Sequence, residues 1–135
     1  MKFIVKTKKH IARNPVAKAI AKNKLKSSIT DHRIGCFMLE NGENCYSEAY
    51  AMSQAIFVML FSYEDLNQTD SVEYRKLKSA GVILVDCAQN GWKWNKEWSI
   101  TLDNAMEICQ ENWTKIPSDI LQKSMEKMEK MEQNQ

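Results

Sequence analysis

The apolar positions of residues 72–80 recur near one face of a helix. Asp70 or Ser71 can N-cap this helix, since both side chains carry the oxygen acceptors that suit the position. Gly81 follows, where a helix commonly ends in a left-handed residue. The pattern therefore predicts a short helix that stops at a glycine.

The next positions predict a β-hairpin. Residues 82–85 form a β-branched apolar run, and Asn90-Gly91 is a strong signal for a two-residue turn. Three tryptophans follow at even spacing: Trp92, Trp94 and Trp98. Because side chains alternate along a strand, this spacing predicts three indoles on one face of the second strand.

Three further helices are predicted at residues 48–61, about 101–113 and 118–132, from apolar positions at helical spacing. Ser47 and Thr101 are the expected N-caps of the first two. The segment 48–61 is apolar around much of its circumference, which is typical of a central core helix. The last segment carries a narrow stripe of leucine and methionine, which could dock on the body, fray, or pair with a second copy in a weak homodimer.

Strands complete the predicted fold. Residues 33–39 read as a strand, Asn41-Gly42 as a turn and residues 44–46 as a short return strand. The fold class we predict is a small single α+β domain with a central helix and short β-hairpins, its second half winged-helix-like. The predicted division of the chain is a basic arm at 1–30, a core domain at 31–116 and a C-terminal amphipathic helix or tail at 117–135.

Composition narrows the class of protein. The chain has 135 residues, 44% of them hydrophobic, and no apolar run long enough to cross a membrane. Its possible thiol and imidazole ligands are Cys36, Cys45, Cys87, Cys109, His10 and His32. Their spacing matches no metal-ligand pattern, and no phosphate-binding or dinucleotide-binding glycine motif is present. We therefore expect no metal, no cofactor, reduced thiols and a cytoplasmic location.

Charge is divided unevenly along the chain. Residues 1–30 contain nine basic residues and no acid, whereas the remainder carries a net charge of −7. The basic residues of this arm are Lys2, Lys6, Lys8, Lys9, Arg13, Lys18, Lys22, Lys24 and Lys26. Two interpretations remain open, because the arm can meet a polyanion or lie on its own acidic body.

The arm also has a helical pattern. Asn14-Pro15 suits the start of a helix that runs to about Lys26, with apolar residues on one side and lysines on another. The segment Arg13-Asn14-Pro15-Val16-Ala17-Lys18-Ala19 resembles the basic R-N-P-V segment of small phage-encoded proteins of unassigned function. The resemblance covers about 20 residues of the arm. It implies a phage origin, and hence the cytoplasm of a bacterial host.

Cys45 is the candidate for catalysis. It precedes a strong helix, whose macrodipole lowers a thiol pKa, as in cysteine-dependent hydrolases. Such enzymes also need a base, and no histidine follows His32 in the sequence. A Cys45–His32 pair therefore remains a minor alternative, and we expect a non-enzymatic protein.

The helix and hairpin at residues 70–101 are similar to the second half of a winged helix, in which the helix enters the major groove of DNA. Arg75, Lys76 and Lys78 would then face DNA, with Lys93 and Lys96 on the wing. Trp92, Trp94 and Trp98 could instead stack on unpaired bases, although core packing is the ordinary role of such indoles and is expected for at least two of them.

These patterns predict a small binding or regulatory protein that contacts nucleic acid through its basic arm. The alternative is an interaction module that binds and inhibits a host protein, and a cysteine-dependent hydrolase is the minor third option. The residues expected to bind nucleic acid or a partner are Lys6, Lys8, Lys9, Arg13, Lys18, Lys22, Lys26, Arg75, Lys76, Lys78, Lys93 and Trp92.

Overall fold

The computed structural model describes residues 38–133, and the regular structure of this range is helical. The four α-helices are α1 (Tyr46–Asp65), α2 (Val72–Gln89), α3 (Ser99–Asn112) and α4 (Ser118–Gln133), with short 3₁₀ turns at Lys96–Trp98 and Trp113–Lys115. The one β-type pairing in the described range is an isolated bridge between Asn44 and Lys93. The predicted α+β fold is therefore wrong for this part of the chain, which is all-α.

Helix α1 is the centre of the core, as its apolar pattern predicted. It packs against each of the other three α-helices. Its buried residues are Ala49, Met52, Ala55, Ile56, Val58, Met59, Leu60, Ser62 and Tyr63. Ser47 is not the N-cap; Cys45 occupies that position without a side-chain capping bond. A helix surrounded on several sides needs apolar residues around its circumference, which explains its composition.

The apolar run at residues 82–85 belongs to α2 and not to a strand. Leu77, Ala80, Leu84 and Cys87 are all buried. Their spacing of three or four residues continues one helical stripe through the whole run. A short apolar run has no distinctive period of its own, and burial of this stripe against α1 and α3 decides for helix.

Gly81 lies inside α2, where it allows close packing rather than ending the helix. A Cβ atom added there would lie 3.3 Å from Leu60 Cδ1 and 3.6 Å from the Phe57 ring. The absence of a side chain therefore lets α1 and α2 approach each other at this point. The glycine that ends α2 is Gly91, and not Gly81 as predicted.

Asn90-Gly91 forms a helix C-terminus and not a hairpin turn. Gly91 has φ +77°, whereas Asn90 has φ −96°. The Gly91 N–H donates to Ala88 O (3.3 Å) and the Trp92 N–H donates to Cys87 O (2.9 Å), which is the Schellman pattern. A glycine with positive φ serves a helix end and a hairpin equally well, so the dipeptide was ambiguous. The winged-helix-like arrangement is consequently wrong as well.

The tryptophans pack against the core instead of lining a strand. Trp94 is buried, and Trp92, Trp98 and Trp113 are half-buried against the core. Trp94 and Trp98 meet edge to face with ring centroids 6.0 Å apart. Their even spacing is therefore not the period of a strand, because this segment folds over the helices. The indoles fill the core, which is their ordinary role.

Residues 38–45 run beside this tryptophan segment. Gly42, at φ +84°, forms the predicted turn, and its N–H donates to Trp94 O (2.8 Å). The exposed ion pair Lys96–Glu40 (2.7 Å) lies at the same place. Met38 and Leu39 are not in a strand, and the rest of the strand predicted at 33–39 lies outside the described residues.

Helix α4 packs on α1 through its apolar stripe, and its predicted extent of 118–132 is confirmed. Leu121 and Met128 are buried, so most of the stripe is covered by the body. Ser62 Oγ and Ser124 Oγ lie 3.0 Å apart in the buried interface between the two helices. Because buried hydroxyls need partners, this contact helps to fix the position of α4 along α1.

Candidate functional site

An apolar concavity of about 320 Å³ lies on the surface between α1 and α2. Phe57, Leu60 and Phe61 form its α1 side, and Val82 and Val85 form its α2 side. Gly81 also lines this concavity, at the point where the two helices approach closely. Its polar boundary consists of Glu64, Tyr74, Lys78 and Asp86.

A second concavity of about 480 Å³ adjoins the first at Phe57 and Val85, which line both. It lies among the N-terminal half of α1, the end of α2 and the end of α4. Its further lining residues are Tyr46, Tyr50, Ser53, Leu84, Ala88, Trp92, Met128 and Met131. We call the two concavities together the apolar groove.

Several hydrophobic side chains in the walls of the apolar groove are exposed. The exposed fractions of Tyr46, Val82 and Val85 are 50%, 55% and 46%, and Met131 is also exposed. Tyr46 packs edge-on against the Trp92 ring with centroids 5.0 Å apart, which holds one end of the groove in place. Contiguous apolar surface of this kind is typical of an interaction site.

Polar contacts close the other end of the groove. The Tyr74 hydroxyl donates to Glu64 Oε2 (2.8 Å), which joins α2 to α1, and this hydrogen bond together with burial raises the pKa of Tyr74. Lys78 Nζ lies 5.7 Å from the Tyr74 ring centroid, and Lys127 Nζ lies 4.5 Å from that of Phe61. The aromatic rings at this end of the groove therefore lie next to charged lysine side chains.

Cys45 does not have the environment of a nucleophile. Its side chain is fully buried, with Sγ 3.2 Å from Cys87 Sγ. Burial, followed by the Cys87 contact, raises the pKa of Cys45 to about 12, where the helix N-terminus alone was expected to lower it. A thiol with so high a pKa holds very little thiolate at neutral pH. Its proposed base, His32, lies outside the described residues.

The predicted nucleic-acid residues are divided by the limits of the described range. Arg75, Lys76 and Lys78 are exposed on the N-terminal half of α2, and Lys93 is exposed in the loop beyond it. Trp92 is half-buried and lines the apolar groove. Lys6, Lys8, Lys9, Arg13, Lys18, Lys22 and Lys26 lie outside the described residues.

The sequence interpretation named two groove residues, Lys78 and Trp92, but missed the apolar side chains of the groove walls. Val82 and Val85 were assigned to a strand, and Phe57 and Phe61 to the core. The signal that could have found them is the helical period of α2, which places residues 82 and 85 away from the buried stripe through Leu84.

Two chemical properties follow for residues 38–133. No group of three or more His, Cys, Asp or Glu side chains in that range is arranged to hold a metal ion. None of its helices combines the length and apolar character needed to cross a bilayer.

The chain matches no protein family model, no curated protein and no solved structure.

Proposed function

We propose that this protein is a non-enzymatic interaction module whose apolar groove binds an amphipathic helix of a partner protein. The observation that carries the proposal is the exposure of Val82, Val85 and Tyr46 in two concavities that share Phe57 and Val85 as lining residues. A helix bound in such a groove inserts apolar residues at i, i+3 or i+4, and i+7. Methionine and aromatic walls suit this mode, because they adapt to different side chains.

Charge favours a partner helix that carries basic residues beside its apolar face. Residues 38–133 contain nine basic and sixteen acidic residues, a net charge of −7. Two acidic residues, Glu64 and Asp86, and one basic residue, Lys78, border the groove. The phage-like segment of the arm makes a bacterial host protein a natural class of partner, and regulation of that protein is the corresponding role.

The test uses a synthetic lysine–leucine peptide of amphipathic helical pattern, with a scrambled peptide of the same composition as the reference. We expect the full chain to bind the helical peptide more tightly than the scrambled one in calorimetric titration. Val85→Asp should weaken that binding by about tenfold or more, since it places a charge in the centre of the groove. Val72→Asp is the matched control, because Val72 is exposed on the same helix and lines neither concavity.

Equal affinity of the Val85→Asp variant and the parent would contradict the proposal. The arm of this same chain is a competing occupant, since its residues 14–26 have a basic amphipathic pattern. If the arm competes, Lys18, Lys22 and Lys26 changed together to Gln should raise the affinity for the peptide. If a second copy competes, affinity should fall as protein concentration rises.

Contact of the arm with nucleic acid is a second candidate function. The nine positive charges without an acid in residues 1–30 support it, as does the exposed group Arg75, Lys76 and Lys78 on α2. Changing Lys18, Lys22 and Lys26 to Gln should weaken binding similarly across sequences and make its salt dependence shallower. No affinity of the parent for single-stranded or duplex DNA or RNA at low salt would contradict this candidate.

A further inference from the structure

Two buried thiols from distant parts of the sequence meet where α1 begins and α2 ends. Cys45 Sγ and Cys87 Sγ are 3.2 Å apart, and the exposed fractions of the two residues are 0% and 1%. A disulfide needs the sulfurs at about 2.05 Å, so the two atoms must approach by only about 1 Å. Small rotations of the two side chains can supply a movement of that size.

The backbone holds both cysteines in this position. The Cys45 N–H donates to Trp92 O (2.8 Å), and the Trp92 N–H donates to Cys87 O (2.9 Å). Trp92 therefore ties the start of α1 to the end of α2 through two short hydrogen bonds. The bond from Trp92 to Cys87 is also one of the two bonds that cap the end of α2. The two thiols therefore meet because of the helix cap, and not through a mobile loop.

We propose that Cys45 and Cys87 form a modification site, at which a two-electron thiol oxidant converts the pair to an intramolecular disulfide. Both S–H bonds break and one S–S bond forms. The two protons and two electrons pass to the oxidant; with diamide, they reduce its N=N bond to a hydrazine. The inference is independent of what the apolar groove binds.

The bond would join residues 42 positions apart and close a loop that includes all of α1 and most of α2. A cross-link of this kind removes conformations from the unfolded chain and so stabilises the fold. Burial raises the pKa of Cys45, so this thiol stays protonated at neutral pH and reacts when the junction opens locally. The disulfide would then hold that junction closed, together with Tyr46 and Trp92 at the end of the groove.

Cys109 supplies a matched comparison. It is also fully buried, on α3, and burial raises its pKa above the usual range. It has neither a thiol neighbour within bonding distance nor the Trp92 backbone link among the described residues. Oxidation that depends on burial alone would treat Cys109 like Cys45, whereas oxidation that depends on the pair would spare it.

The experiment treats the reduced full chain with diamide, then alkylates it under denaturing conditions and maps the peptides by mass spectrometry. We expect two of the four thiols to escape alkylation and a reducible peptide linking Cys45 to Cys87 in a monomeric chain. The melting temperature should rise by roughly 10 °C and return after dithiothreitol. Cys45→Ser and Cys87→Ser should each abolish the linked peptide and the rise, and Cys109→Ser should retain both.

Peptide mapping of the parent decides the matter even if a serine variant fails to fold. Four alkylated thiols after treatment, or a linked peptide joining any other two cysteines, would overturn the proposal. An oxidised parent that melts no higher than the reduced one would also overturn it, because the native junction would then not accommodate the bond.

Discussion

The two sides of α2 contain similar residues with different surroundings. One side carries Leu77 and Leu84, which are buried against the other helices. The other side carries Val82 and Val85, which remain about half-exposed in the apolar groove. Hydrophobic character alone therefore does not assign a residue to the core. The buried side supplies stability, and the exposed side is available for binding.

Truncation should separate the two sides most strongly. Leu77→Ala should lower the free energy of unfolding by about 2 to 5 kcal/mol, because it leaves a cavity in a fully buried position. Val85→Ala should change it by no more than about 0.5 kcal/mol, since Val85 is half-exposed. Urea denaturation of both variants measures the difference. Comparable losses in the two variants would mean that the groove side is part of the core.

The Tyr74–Glu64 hydrogen bond tests how firmly the end of the groove is closed. Tyr74→Phe should cost about 1 kcal/mol of unfolding free energy at neutral pH, because it removes a bond to a carboxylate. The pKa of Tyr74 is raised above its ordinary value of 10.0. The contribution of the hydroxyl is therefore complete below pH 10 and is lost as the pH rises through the raised pKa.

The difference between parent and Tyr74→Phe should accordingly shrink in denaturation experiments above pH 10. Comparing the two proteins at each pH cancels the titration of all other groups. A difference that stays constant between neutral and strongly alkaline pH would show that the hydrogen bond does not stabilise the native state.

Gly81 should give the smallest effect, at the boundary between the two sides. Gly81→Ala should stabilise the protein by about 0.5 kcal/mol, because alanine has the higher helix propensity. The gain falls below the full propensity difference since the new Cβ would lie 3.3 Å from Leu60 Cδ1, the movable end of a side chain. Gly81→Leu should destabilise by contrast, as its side chain must force α1 and α2 apart. Thermal unfolding of both variants measures this, and a loss of stability in Gly81→Ala would mean that Leu60 cannot move.

Features that depend only on residues close together in the sequence were predictable. Ser71 does cap α2, accepting from the Tyr74 N–H (3.1 Å). The apolar spacing located α1 and α4, and Gly42 adopts its expected turn conformation. Each of these depends on a cap, a helical period or a single backbone angle, so a few consecutive residues are enough to specify it.

The candidate site was not predictable in the same way, because residues from separate helices create it. Phe57 and Val85 line the groove from α1 and α2, and Met131 reaches it from α4. No short segment contains that arrangement. The thiol pair likewise joins positions 42 residues apart, and only the packing of α2 beside α1 brings them within 3.2 Å.

The sequence by itself determined where α2 and α4 begin and the separation of charge between the arm and the body. It did not determine the starts of α1 and α3, which begin before the predicted caps Ser47 and Thr101. Only the tertiary structure decided that residues 82–85 continue a helix, that Gly81 permits close packing and that Gly91 ends α2. The physical reason is that glycine and short β-branched runs are compatible with more than one backbone conformation. Burial of the stripe through Leu77 and Leu84 against neighbouring helices selects among those conformations, and that burial exists only in the folded chain.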